Sequence, residues 1–160
     1  MHLADAAATE RLGGLIAAAT TAVPGAWLIT LQGGLGAGKT TLVRGFLRDL
    51  GYQGRVPSPT YTLIEPYDIA GRRILHMDLY RLSDPGELEY LGFRDSLGDD
   101  TVALVEWPER AGGVLDDPDL RIALGMAGEG RTARLETCSA HGRVLLDRLG
   151  TALSVQSLAD

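Results

Sequence analysis

The sequence predicts an α/β domain around a mostly parallel central sheet, flanked by helices and with added late strands, and three observations lead there. Strand-like apolar runs alternate with helical patterns, the arrangement that covers a parallel sheet with helices. A glycine-rich turn, "GGLGAGKT", sits between one such strand and one such helix. Within "TVALVEW" the residues before Glu106, "VALV", are apolar without a break, as a strand buried on both faces should be.

Each element has its own signal. From Ala6 to Ala22, Leu12, Leu15, Ile16 and Ala19 fall at helical spacing, with Asp5 placed to cap the first turn. "AWLITLQ" reads as a buried strand, and "TTLVRGFLRDL" as a helix with Leu42, Phe46 and Leu50 on one side, ended by Gly51. "PSPTYT" is extended or turning, because each proline restricts the residue before it. "TLIEPYDIAGRRILHMDLY" predicts two strands around a turn at Ala70-Gly71. "SDPGELEYLG" is a short helix: Asp84 caps, Pro85 takes the first helical position, Glu87 completes a capping box, and Gly92 lies past the end. "LRIALGM" and "TARLETCS" are late strands, and "GRVLLDRL" is a closing helix. With no repeat and no linker, residues 1–150 form one expected domain, and 151–160, "TALSVQSLAD", an expected flexible tail.

Composition narrows the function. A net charge of −6 argues against a broad phosphate-binding face, since nucleic-acid affinity rests on clustered basic charge. Arg44, Arg48 and Arg55 lie close enough in sequence to make a local basic patch, and a solvated helix face is the plainer reading of them. The N-terminal residues lack a basic stretch followed by an apolar run, and "AVPGAWLITL" is far short of the ~20 residues that cross a bilayer. Cys138 is alone and cannot form an internal disulfide. A cytoplasmic protein without a membrane segment is the expectation.

Lys39 is the only lysine in a chain with fourteen arginines and no asparagine. It stands in a Gly33-x-x-x-x-Gly38-Lys39-Thr40 pattern, the signature of a phosphate-binding loop. Glycines let successive backbone N–H groups point inward around a phosphate, and the helix that follows adds its positive end. Lysine supplies a compact point charge where a planar guanidinium does not fit. Thr40 offers a hydroxyl to Mg²⁺.

Such a site also needs an acid at a strand end. Glu106 closes "VALVE" and fits that template better than Asp78, which closes "ILHMD", where His76 interrupts the apolar run. Asp78 has the alternatives of reaching the metal through water or acting near the γ-phosphate. Ser58 and Thr60, between two prolines, suit a loop that reads the γ-phosphate, though a plain turn explains them too. His76 reads as a packing residue, and Trp107 as core or as a neighbour of the site. Guanine recognition through Asn-Lys-x-Asp is excluded by the missing asparagine and the single lysine, and the protein-kinase catalytic loop by the missing asparagine. ATP is therefore the expected nucleotide. A small-molecule kinase is the second hypothesis, with Arg110 and Arg131 as available lid arginines. A nucleotide-gated binding module with negligible turnover is the third.

Four blocks, "GGLGAGKTTLVRGFL", "VPSPTYTLIEPY", "HMDLYRLSDPGELEYLGFRD" and "VALVEWPER", follow one another at distances that resemble the bacterial TsaE (YjeE) family. The resemblance runs from about Thr9 to Gly150. It implies a P-loop NTPase-like fold and a weak ATPase of tRNA threonylcarbamoyladenosine (t6A) biosynthesis, stimulated by the partners TsaB and TsaD, with tRNA met through them. Carried onto this chain, the nucleotide loop falls on Gly36, Ala37, Gly38, Lys39, Thr40 and Thr41, and the metal ligands on Thr40 and Glu106. Asp78 matches a functionally important acid, Ser58 and Thr60 a switch-like segment, and Trp107 the tryptophan beside the metal acid. Lys39, Asp78, Glu106 and Thr60 are thus the candidate catalytic residues, and Thr9 matches a hydroxyl near base and ribose. The chain departs from many relatives at Gly34, where they carry Asp, and at Met77, where they carry an aromatic residue.

Overall fold

A two-residue strand that no sequence periodicity announces, β1 (His2–Leu3), starts the chain. The elements after it are α1 (Ala6–Ala22), β2 (Trp27–Gln32), α2 (Lys39–Asp49), β3 (Ile64–Ile69), β4 (Arg72–Asp78), α3 (Gly86–Tyr90) and α4 (Phe93–Ser96). Then come β5 (Thr101–Glu106), a 3-10 turn (Pro108–Ala111), β6 (Leu120–Ala127), β7 (Gly130–Thr137) and α5 (Ala140–Gln156). The computed structural model describes residues 1–156. The segment expected as a tail, 151–160, begins inside α5, which continues to Gln156; residues 157–160 lie outside the described residues.

One seven-stranded sheet runs β1-β7-β6-β2-β5-β4-β3. The four middle strands, β6, β2, β5 and β4, are parallel, and both flanks are antiparallel. The register explains the apolar runs. Trp27, Ile29 and Leu31 of β2 join Val102 and Leu104 of β5 and Ile74 of β4 in the core under α1 and α2. Leu28, Ala103, Val105, Leu75 and Met77 point to the other face, where Leu88 of α3 and Phe93 of α4 cover them. Each fully buried large side chain of this kind contributes about 1.5–3 kcal/mol. Successive strand residues point to opposite faces, so His76 and Asp78, alternating with Leu75 and Met77, belong to the face that carries α2.

Two helices over that face meet backbone to backbone. A Cβ on Gly13 of α1 would lie 2.1 Å from the Leu42 carbonyl oxygen, and one on Gly45 of α2 would lie 2.0 Å from that of Glu10. The glycines therefore set how closely α1 approaches α2. Asp5 caps α1 as the sequence predicts, accepting from the Ala8 N–H at 2.7 Å. The box before α3 is also present: Gly86 N–H donates to Asp84 Oδ1 at 2.9 Å and Asp84 N–H to Glu87 Oε1 at 3.1 Å. Arg44 and Arg48 do not make a free basic patch, since both pair with Glu10 of α1, at 2.9 and 2.7 Å. Among the described residues no helix is long and apolar enough to cross a membrane.

Candidate functional site

The loop between β2 and α2 is shaped by two demands that a side chain cannot meet. Gly38, the residue before α2, holds φ 104°, a left-handed conformation that glycine adopts without strain. A Cβ on Gly33 would come 2.3 Å from the Leu124 carbonyl oxygen of β6. Between them the chain turns back, with the Ala37 N–H bonded to the Gly34 oxygen at 3.2 Å. Ala37 is buried under the turn. The result is a concave row of backbone groups leading into the N-terminus of an eleven-residue helix, where unpaired N–H groups and the helix dipole favour an anion.

Lys39, first residue of α2, is only 4% exposed. Its Nζ donates to the carbonyl oxygens of Gly33 at 2.6 Å and Gly34 at 2.9 Å, and lies 4.0 Å from the centre of the Trp107 ring. Burial pushes the ammonium below its ordinary value, and the nearby carboxylates of Glu106, Asp78 and Glu109 pull it partly back. The aromatic face beneath it is a further electrostatic partner for a cation. Trp107 reaches this position through its backbone, φ 58° and ψ 49°. That left-handed turn is costly for a bulky residue and comes directly after Glu106.

β4 and β5 deliver the acids. Their parallel register sets Asp78 beside Glu106, with His76 two residues back beside Leu104. Thr40 Oγ1 donates to Glu106 Oε1 at 2.9 Å, and His76 Nε2 lies 2.8 Å from the same oxygen. Asp78 is held differently. Ser58 Oγ donates to its Oδ2, and the Tyr80 N–H to its Oδ1 at 3.0 Å. Thr60 Oγ1 lies 3.4 Å from Ser58 Oγ, so the segment after Val56 is tied to Asp78 through hydroxyls.

These groups line one pocket of about 440 Å³. Gly36, Gly38, Lys39, Thr40, Thr41, Ser58, Thr60, Asp78, Glu106 and Trp107 are brought together there. Thr9 is not on its wall. It is fully buried behind the loop, its hydroxyl donates to the Asp5 carbonyl at 3.2 Å, and its methyl lies 3.4 Å from where a Cβ on Gly38 would be. Leu35, Tyr80 and Arg81 also line the pocket, and sequence reasoning missed them; the first lies inside the loop motif and the others stand two and three residues after Asp78. Arg131 reaches the loop from β7, 3.5 Å from the Gly36 oxygen, whereas Arg110 sits over the Tyr80 ring at 5.8 Å. Packing alone does not describe His76, whose ring bonds Glu106 across thirty residues of sequence. The polar break in "ILHMD" was the only signal available for it.

Residues 3–134 match the family model for the threonylcarbamoyl adenosine biosynthesis protein TsaE. The chain belongs to the TsaE family. It is similar to the tRNA threonylcarbamoyladenosine biosynthesis protein TsaE of Haemophilus influenzae, with 49% identity over 108 residues, 68% of each chain. The protein of the same name from Synechocystis is 42% identical over 115 residues, 68% of this chain and 69% of its own. Among solved structures, Bacillus subtilis YdiB superposes with a TM-score of 0.76 at 28% identity, over 95% of this chain and 93% of that one. The TsaE-family fold is thus a mixed α/β domain with a centrally parallel sheet, as the strand and helix alternation predicts.

Proposed function

We propose that this chain is a Mg²⁺-dependent ATPase acting in tRNA t6A biosynthesis. The observation that carries the proposal is the convergence of Lys39, Thr40, Asp78 and Glu106 on one pocket at a helix N-terminus, in a chain of the TsaE family. The loop amides and Lys39 bind the β- and γ-phosphates, and the pocket walls orient the chain of phosphates for in-line attack. Catalysis then rests on positioning and on charge placed before the reaction begins.

The donor set fits Mg²⁺. That ion takes one or two protein oxygens and fills its remaining positions with phosphate oxygens and water. Here a hydroxyl and a carboxylate already meet at 2.9 Å, and no described residue bonds the other oxygen of Glu106. Thr40 and Glu106 would hold the ion, which supplies charge neutralisation at the β- and γ-oxygens. Asp78 has a separate task. Bound to Ser58 and to the Tyr80 N–H, it couples the Ser58–Thr60 segment to the γ-phosphate side of the pocket. Loss of the γ-phosphate then releases that segment and changes the surface offered to a partner.

TsaB and TsaD are the proposed partners, with tRNA met through them, in keeping with a net charge of −6 and with Arg44 and Arg48 neutralised by Glu10. The deciding experiment is ATP hydrolysis by the purified protein with and without its own TsaB–TsaD pair, with Lys39→Ala as the blank. Stimulation by the pair is expected. Phosphate transfer to a small acceptor, or ATP binding with no response to the pair, would overturn the reading.

A further inference from the structure

His76 lies in the middle of β4 with no exposed surface, on the sheet face beneath the pocket. Among the described residues the ring makes one hydrogen bond, from Nε2 to Glu106 Oε1 at 2.8 Å, and Nδ1 is buried without a partner. A ring held for its own sake would be expected to satisfy both nitrogens, because buried polar atoms nearly always find partners. Here one nitrogen is left bare and the other is spent on the carboxylate. A carboxylate oxygen only accepts, so in this contact Nε2 is the donor.

Glu106 ends its strand with two side-chain torsions beyond Cβ that nothing in the β5 backbone fixes. Two donors converge on Oε1, Thr40 from above and His76 from below. The Thr40 hydroxyl, a cation ligand in the reading given above, would bind the ion through an oxygen lone pair and keep its O–H for Glu106, so this bond is tied to the ion. His76 is the donor that holds Oε1 without also being a ligand. Pinned from beneath at Oε1, the carboxylate keeps Oε2 turned to the pocket, where no described residue bonds it.

We propose that His76 is a positioning residue that fixes the rotamer of Glu106 and thereby sets the divalent-cation dependence of nucleotide binding, without touching cation or nucleotide. The inference rests on the assignment of Glu106 as the metal acid. Groups that hold a metal ligand from behind are commonly worth 10–100-fold in metal affinity or activity.

The test is the dissociation constant of a non-hydrolysable ATP analogue, measured by calorimetry once in excess Mg²⁺ and once in EDTA. The ratio of the two values is the Mg²⁺ dependence. His76→Leu and His76→Met are expected to shrink that ratio about tenfold while leaving the EDTA value unchanged. His76→Gln, which can offer an amide N–H to the same oxygen, is expected to restore most of it. A parent protein with no Mg²⁺ dependence removes the metal reading of Glu106 itself. Apolar variants with the parent's ratio, or with binding lost equally in EDTA, would overturn the role of His76 alone. So would failure of both apolar variants to fold, since the ring would then be needed for packing.

Discussion

Lys39 spends part of its charge energy before any ligand arrives. Its ammonium is buried, and that burial lowers its affinity for a proton. The unfolded chain therefore holds this proton more tightly than the folded one, so stability should rise with pH between the lowered folded value and the ordinary 10.5. Comparing urea midpoints of the parent and Lys39→Ala from pH 7 to 10 checks this. The parent should gain on the variant as pH rises, and a constant gap would mean that the site leaves the lysine unperturbed. At neutral pH Lys39→Ala should keep its fold and lose ATP binding, which one calorimetric titration decides. Glu106→Gln keeps the shape of the side chain but removes its charge. Metal-dependent turnover should fall by a hundredfold or so, as for other lost preorganised charges, with the EDTA affinity for nucleotide little changed. An unaltered rate would give the metal to Asp78. At this scale the glycine-rich loop and the place of Glu106 on the pocket wall were legible, because glycine spacing and an apolar run ending in an acid are local patterns. The partner of His76 was not, because only the β4–β5 register brings the two together.

Elements long enough to show an apolar pattern were legible as elements, and so was the five-residue α3 through its capping residues, but β1 was not. β2, β5, α1 and α2 each carry a repeat of apolar positions, whereas β1 has two residues and exists because it pairs with β7. Nor does any pattern in α1 or α2 state that the two helices touch through backbone; that depends on Gly13 facing Leu42 and Gly45 facing Glu10. Gly45→Ala should therefore cost about 3 kcal/mol, the upper range for overpacking, as its methyl would meet a carbonyl at 2.0 Å. Gly14→Ala, one residue beyond Gly13, is the contrast. Its methyl would lie 3.3 Å from the Asp49 carboxylate oxygen, a side-chain atom able to move. The helix should then gain up to about 1 kcal/mol from the better propensity of alanine. Thermal melts of the two variants test the packing directly: equal effects would show that the α1–α2 contact yields more easily than its geometry implies. Because α2 also carries Lys39 and Thr40, Gly45→Ala should weaken ATP binding as well, through displacement of the helix N-terminus.

Strand order is a property of the whole molecule, and no local pattern contains it. β2 lies between β5 and β6, so the glycine-rich loop leaves the sheet centre with Glu106 on one side and Leu124 on the other. The two tryptophans sample opposite ends of this arrangement. Trp27 is buried at the start of β2, stacked on His141 of α5 at 3.7 Å, while Trp107 lies in the pocket under Lys39. If residues 1–150 unfold as one cooperative domain, as the continuous sheet implies, both report the same transition. Trp27→Phe and Trp107→Phe each leave one reporter, and their urea midpoints should agree after correction for the stability change each substitution makes alone. Saturating Mg²⁺-ATP at about a hundredfold over its dissociation constant should then add about 2.7 kcal/mol to both variants, provided each still binds. The variant keeping Trp27 as its reporter is the informative one, because its signal lies far from the pocket. A nucleotide-induced shift there means that the loop, the acids and the core under α1 and α5 form one unit. A shift seen only at Trp107 would mean instead that the pocket opens and closes on its own, with the remaining sheet as a scaffold that nucleotide does not stabilise.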